Sequence, residues 1–260
     1  MATKTGVFIV GAKRTAFGTF GGKLKGHSST DLAEIASRAA LKSASIAPEH
    51  VDHVVMANNA GNFKAEITPI TLKSKKGEVV FEVDEHPRET TNESLAKLPP
   101  VFQKNGLVTA GNASGICDGA AAVVVASESA VKKLKLTPLA RIVAWHAVGC
   151  DPSIMGIGPA PAIRGVLEKA KMKLSDIDLI EVNEAFAAQA VAVRKELGID
   201  QDKFNVSGGA IALGHPLAAS GTRISAHLVH ELKRRGAKFG IGSACIGGGQ
   251  GIAIIFESIA

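Results

Sequence analysis

The chain has 260 residues, 46% of them apolar and 4% aromatic, with 28 glycines, enough to bury a substantial core as one large or two small domains. Its longest apolar run, 120–126, is strand-sized and falls short of the ~18–20 residues of a membrane helix, so no transmembrane segment is expected. The balance of 30 basic against 24 acidic residues, +6, favours anionic partners such as phosphorylated metabolites, while the absence of Tyr, a single Trp and dispersed lysines argue against nucleic acid. Cys117, Cys150 and Cys245 lie too far apart for a Cys-x-x-Cys metal knuckle, and an odd count without a secretory signal points to free thiols in a reducing compartment. A first apolar run beginning at Gly6 leaves little room for a cleavable presequence.

In chain order, the pattern predicts a strand over 6–11, a helix over 30–43 and a strand over 51–57. The stretch from Asn59 to Pro100 is polar and charged; within it "TLKSKKGEVVFEVDEH" reads as a β-hairpin with a Lys76-Gly77 turn, an excursion from the domain. The second half alternates regularly. Strands are expected over 140–145, 177–182 and 204–207, helices over 162–171 and 185–197, then a long amphipathic helix over 221–235. The basic end of that helix, Lys233-Arg234-Arg235, suits the negative pole of its dipole. Two closing strands, 239–244 and 251–257, are joined by the glycine-rich stretch after Cys245. Alternating strands and helices imply a layered α/β sheet.

The halves resemble one another. "SIAPEHVDHVVMANNA" aligns with "AKMKLSDIDLIEVNEAFA" when Asp52 is placed over Asp178, and "DGAAAVVVASES" echoes "GGQGIAIIFES". This is the mark of a duplicated unit. The second copy, however, contains "GGAIALGHPLAASGTRISAHLVHEL", and the first has no counterpart.

Three places could do chemistry. In "GSACIGGGQG" the Cys245 thiol sits at a strand end, followed by glycines whose free N–H groups could receive an oxyanion; the alternative is a tight turn beside a buried Cys. His215, in a glycine-rich turn before the long helix, suits a neutral base under the influence of the helix dipole, or is a surface turn histidine. Together they form a candidate base–thiol pair. Asn183-Glu184 ends a strand, where open α/β sheets meet ligands, or caps the next helix. His227 and His230 share a helix face but lack a third ligand, so no metal is expected.

In their order, "AKRTAFGTFGG" (12–22), "TAGNASGICDGAAA" (109–122), "VNEAFA" (182–187), "NVSGGAIALGHPLAASGTR" (205–223) and "GSACIGGGQGIA" (242–253) resemble the motifs of the thiolase family across nearly the whole chain, and "PLARIVAWHAVGCDPSIMGIGP" (138–159) is similar to its mitochondrial members. The resemblance implies a thiolase-like duplicated α/β/α layered fold: an incomplete N-terminal domain over 1–136, with a loop-domain remnant at about 60–100, and a complete C-terminal domain over 137–260. It implies thiolytic cleavage of 3-ketoacyl-CoA by CoA, or the reverse Claisen condensation, with CoA as co-substrate, no resident cofactor, and a mitochondrial place. His215 would deprotonate the nucleophilic thiol, Cys245 would exchange a proton with the acetyl carbon or CoA, and Asn183 and the Gly247 N–H would serve the oxyanions. Ser114, Ala110, Ala185 and Phe186 would border the pantetheine arm, and Arg88 and Thr90 the nucleotide end. Family members are dimers or tetramers, so a homo-oligomer or association with full-length subunits is expected.

One departure stands out. The family's acylated cysteine lies in a Cys-Gly-Ser-Gly-like motif of the first half, and this chain has no such motif; near Asn59-Ala60-Gly61 the sequence skips a long interior stretch. The alternatives are therefore an inactive CoA-binding or subunit-interaction protein, or a weak acyl-CoA hydrolase.

Overall fold

The computed structural model describes residues 6–50, 64–74 and 77–259; the expected strand over 51–57, the join near Asn59 and Lys76 of the expected hairpin turn lie outside them. The first half contains β1 (Val7–Arg14), β2 (Gly18–Thr19), α1 (Ser29–Ala44), β3 (Ile70–Ser74), β4 (Gly77–Phe81), α2 (Asn92–Ala96), β5 (Cys117–Asp118), β6 (Ala121–Ser127) and α3 (Glu128–Leu134). The second contains β7 (Ala140–Gly149), α4 (Pro159–Ala170), β8 (Leu179–Val182), α5 (Ala187–Leu197), α6 (Ala210–Leu213), α7 (Ser220–Arg235), β9 (Phe239–Ile246) and β10 (Gln250–Ser258). No helix among the described residues is long and apolar enough to cross a membrane.

One mixed sheet runs β6-β1-β7-β10-β9-β8, antiparallel except for the β8–β9 pair. Side-chain alternation assigns its two faces. Ala253 and Ile255 of β10 pack outward with Ala162, Ile163 and Val166 of α4, while Ile254 and Phe256 face inward with Ile224 and Leu228 of α7. Likewise Ala122 of β6 packs outward with Leu32, Ala36 and Ala40 of α1, and Val123 faces α7. The sheet thus curls around α7, which touches β6 and β1 on one side and β8, β9 and β10 on the other. The layered α/β expectation holds, with α7 as the central layer.

The sheet carries an internal symmetry. In each half the first strand pairs antiparallel with the last, β1 with β6 and β7 with β10, and β1 meets β7 antiparallel at the centre (Val7 opposite Ile142, Ile9 opposite Ala140). The helices α1 and α4 cover corresponding outer faces. β8, β9 and α7 have no counterparts among the described residues of the first half.

Local chemistry explains the element ends. Ser28 and Asp31 form a reciprocal capping box that starts α1, with hydrogen bonds of 3.1 and 2.7 Å, and Ser45 closes it in the left-handed region. Gly11 lets β1 approach that helix: a Cβ there would stand 2.5 Å from the Ala40 carbonyl oxygen. Several boundaries differ from the sequence pattern. β7 continues to Gly149 because its antiparallel partner β10 extends the ladder to Gln250. Residues 204–207 do not form a strand but two isolated bridges, Phe204 to Ile180 and Val206 to Gly208, and Ala210–Leu213 is a helical turn. Gly77 belongs to β4, paired with Ser74, rather than to the turn.

The hairpin β3–β4 stands outside the main sheet, as expected, but it is anchored. Ile67, Ile70 and Phe81 are buried with α1. Two carboxylates of the same stretch reach the core. Arg14, fully buried at the end of β1, donates to Glu66 at 2.7 Å and lies 3.6 Å from Asp84, which accepts the Phe17 N–H at 2.7 Å. Beyond Glu66, His227 of α7 stands between Glu66 (3.6 Å) and Glu181 of β8 (3.8 Å), and Glu181 pairs with Arg223 at 3.3 Å. A buried line of charge therefore ties the hairpin region through β1 to α7 and β8. Burial pulls Arg14 down to about 10, which leaves it cationic at neutral pH. Burial pushes Asp84 up to about 7, against the pull of Arg14.

Candidate active site

The polar groups gather at one end of the sheet. Asn183 follows β8, its N–H donating to the Ser243 carbonyl of β9 at 2.9 Å, which sets it two residues from Cys245 along the neighbouring strand. Its side-chain nitrogen lies 3.3 Å from His215 Nε2. The turn carrying His215 is held by α6 before it and α7 after it, and by the His215 N–H, which donates to the Gly115 carbonyl at 2.8 Å. On the far side of the ring, Nδ1 lies 2.6 Å from Oγ of Ser220, the first residue of α7. Asn183 Nδ2 can only donate, so Nε2 accepts from it, and Nδ1 carries the proton and donates to Ser220. Nε2, facing Asn183, then carries the lone pair of a base.

His215 is half-buried, and its pKa is lowered by burial first and by the Arg223 cation second. Both act in the same direction as the N-terminus of α7, whose first residue, Ser220, the ring contacts. In a titration followed by imidazole NMR, His215 is expected to protonate below 6.5. The sign follows from linkage: between the folded midpoint and 6.5 the unfolded chain binds more protons, so this group's stabilisation is full above 6.5 and is lost as pH falls through the folded value. A midpoint at or above 6.5 would contradict the assignment.

Cys245 lies half-buried in β9 opposite Gly251. Burial raises its pKa, with Cys150 adding to the rise, so the thiol holds its proton at neutral pH and is suited to donate it. Gly247, Gly248 and Gly249 make the turn to β10. Gly248 and Gly249 adopt φ of 86° and 85°, conformations that glycine takes without strain, and the Gly247 backbone is exposed beside the thiol strand. A side chain at Gly249 would strike the Cys150 carbonyl.

The stretch 112–116 runs alongside these groups. Ser114 donates to the Ala185 carbonyl through both its N–H (3.1 Å) and its hydroxyl (3.0 Å), Ala113 bridges Phe186, and Ile116 bridges His215. Phe186 stacks edge-on against Phe102, with centroids 6.3 Å apart. Ser114, Ala185 and Phe186 thus line one wall next to His215 and Asn183. Ala110 sits in the exposed turn that leads into this stretch. Arg88 and Thr90 are exposed on the segment before α2; burial first, and nearby Arg88 second, lower the pKa of His86, whose ring packs over Gly115. No hydrogen bond joins Arg88 or Thr90 to the His215 cluster among the described residues.

One residue of the His215 cluster escaped the sequence reading. Ser220 positions the imidazole, and its only signal was a hydroxyl at the start of the helix after Gly214-His215-Pro216. Glu184 braces the site rather than lining it: its carboxylate accepts from Asn205 (3.1 Å) and from the Ile211 N–H (3.2 Å). The helix-cap alternative for Asn183 is overturned, because the N-cap of α5 is Phe186. His227 belongs to the buried charge line, and His230 Nε2 lies 3.1 Å from the Ala12 carbonyl. Cys117 is buried under Gly214 with its pKa pushed up to about 12, first by burial and then by Asp84 and Asp118, far from a thiolate at neutral pH.

A β-strand end carrying Asn, a His whose free nitrogen meets that Asn, and a thiol before a glycine turn fall in the order and spacing of one family. The thiolase C-terminal domain matches residues 136–258, and the thiolase N-terminal domain matches 7–60 and 55–129 in two segments. The chain belongs to the thiolase family. Among its relatives, mitochondrial 3-ketoacyl-CoA thiolase of Bos taurus is 64% identical over 205 residues, 78% of this chain and 52% of the relative. The crystal structure of human mitochondrial 3-ketoacyl-CoA thiolase superposes with a TM-score of 0.92 at 40% identity, covering 98% of this chain and 99% of that chain. The human enzyme in complex with CoA gives 0.90 at 40% identity, covering 98% of both chains. The chain spans about half the length of the sequence relatives it matches.

Proposed function

We propose that this chain acts on CoA thioesters as a thiolase-type acetyl-CoA acyltransferase chain that retains the proton-transfer half of 3-ketoacyl-CoA cleavage. The observation that carries the reading is the His215–Asn183 contact beside the Cys245 strand, with Ser220 fixing the ring. In the cleavage direction, His215 Nε2 accepts the proton of the CoA thiol as its sulfur bonds to the 3-keto carbon. As the Cα–Cβ bond of the 3-ketoacyl group breaks, the electron pair stays on the acetyl carbon, and the protonated Cys245 delivers its proton there. Asn183, through a water it holds, and the Gly247 N–H receive the negative charge that develops on the 3-keto oxygen and on the thioester oxygen of the departing acetyl group. Ser114, Ala185 and Phe186 form the wall for the pantetheine arm, with Ala110 bordering it from the exposed turn, and Arg88 and Thr90 approach the nucleotide end. Formation of an acyl-enzyme has no assigned group, since Cys117 is a buried, protonated thiol.

The test uses a step that needs no acyl-enzyme. In heavy water, acetyl-CoA incubated with the chain is expected to gain deuterium at its methyl group, faster as pH rises toward the raised Cys245 pKa, and the Cys245→Ala variant to lose that exchange. Exchange no faster than in buffer, from a folded chain, would overturn the reading.

The division into an incomplete domain over 1–136 and a complete one over 137–260 belongs to the same proposal, supported by the two-segment N-terminal match. So does a mitochondrial location, supported by the names of the relatives. A second reading, association with longer thiolase chains or with further copies of this one, is favoured by the sheet itself: among the described residues β6 has a neighbour on one side only. An unpaired edge rich in valine invites another chain.

A further inference from the structure

Beside α7, no further helix covers the inner face of the sheet among the described residues. Trp145 of β7, Ile252 and Ile254 of β10, Ala244 of β9 and the Gly221–Ser225 turn of α7 enclose an open cleft of about 250 Å³ with no charged side chain in its lining. Trp145 is 56% exposed and Ile252 38%. On α7, Gly221 and Ser225 stand one turn apart, and a Cβ added at Gly221 would meet nothing within 4 Å.

The symmetry about the β1–β7 contact says what this face is shaped for. It exchanges β1 with β7 and β6 with β10. Helix α7 rests on β8, β9 and β10 and leans across to β6 and β1. Its image would rest beside β6 and lean across to β10 and β7, where Trp145 and Ile252 are exposed and Lys169 of α4 stands 4.8 Å from the Trp145 ring. The first half supplies no such helix among its described residues, and the N-terminal domain match is divided in two at the corresponding point in the chain.

We infer that the Trp145–Ile252 cleft is a docking seat for a helix of the α7 type, supplied by a separate polypeptide that contains the thiolase N-terminal-domain segment absent between the two matched stretches. The inference rests on the second reading above and gives it a surface. The occupant should present an apolar face to Trp145 and Ile252 and small residues toward Gly221 and Ser225, since backbones approach closely where neither side carries bulk.

Trp145 is the chain's one tryptophan and so reports directly. The probe is the interior segment of human mitochondrial 3-ketoacyl-CoA thiolase lying between the regions aligned with 7–60 and 55–129, produced separately with any tryptophan replaced by phenylalanine. Titrating it into the chain is expected to move Trp145 emission to shorter wavelength, saturably. Ile252→Asp and Ser225→Arg should each weaken binding at least tenfold, while Val79→Asp on the exposed β3–β4 hairpin should leave it unchanged. Ser225→Arg changes a solvent-facing helix position, and circular dichroism confirms that each variant is folded.

Absence of a saturable shift, or binding indifferent to both cleft variants, would overturn the inference. So would concentration-dependent self-association that buries Trp145 without the segment, since the seat would then belong to a second copy. Deuterium exchange into acetyl-CoA is read separately: exchange without docking leaves the proposed chemistry standing and removes the seat, and docking without exchange does the reverse.

Discussion

The Arg14→Met variant is expected to lose about 3–5 kcal/mol of stability in urea unfolding, with the slope unchanged. Arg14 is wholly enclosed, and its guanidinium faces Glu66 at 2.7 Å and Asp84 at 3.6 Å. Removing it leaves the Glu66 and Asp84 carboxyl groups in a low-dielectric interior without the cation between them. Adding Glu66→Met in the same chain should recover part of the loss, because a buried ion pair replaced whole by apolar groups costs far less than a pair broken in half. A single-variant loss under about 1 kcal/mol would show that the line of charge contributes little.

The pH profile should carry the same signature. Asp84, held at about 7 rather than 3.8, keeps a proton in the folded chain that the unfolded chain has released. Its contribution is therefore full below about 3.8 and is lost as pH climbs through about 7. Arg14 opposes that rise, so in Arg14→Met the decline should extend to higher pH.

The second large effect concerns turnover. Thiolysis of a 3-ketoacyl-CoA by this chain alone is expected to run on the order of 10⁴- to 10⁶-fold below that of a full-length family member, the usual scale for losing a covalent nucleophile. The comparison is made at saturating CoA, beside full-length human mitochondrial 3-ketoacyl-CoA thiolase and beside the Cys245→Ala variant. Turnover within a hundredfold of the control would mean that another group takes the acyl chain. If Cys245→Ala then abolished that turnover, Cys245 itself would be the candidate.

Much of this architecture was legible in the order of residues. The alternation of apolar runs with helical spacing marked β1, α1, α4, α7, β9 and β10 to within a few positions, because each buries a periodic face. Shorter pieces were not legible. Residues 204–207 look like a strand, yet they meet β8 only through Phe204 and Asn205, and β7 outruns its apolar core because β10 continues to pair with it. The hairpin region read as an excursion, since nothing local announces that Glu66 and Asp84 will meet Arg14. Pairing across 52 and 70 positions is a property of the assembled layers. The site divides in the same way. His215, Asn183 and Cys245 stood out by type and setting, whereas Ser220 and the Arg223 cation that help govern the imidazole became visible only once α7 was seated.

The turn Gly247-Gly248-Gly249 has a bearing on how the chain acquires its shape. It closes the β9–β10 ladder across three residues, whereas β1 must find β6 by pairing Val7 with Ser127. Short closures lose little chain entropy and long ones lose more, so the β9–β10 pair can form while β1 and β6 are still unpaired. The peptide N–H groups beside Cys245 would then be fixed early in folding, and the second half would serve as the template on which the first half settles.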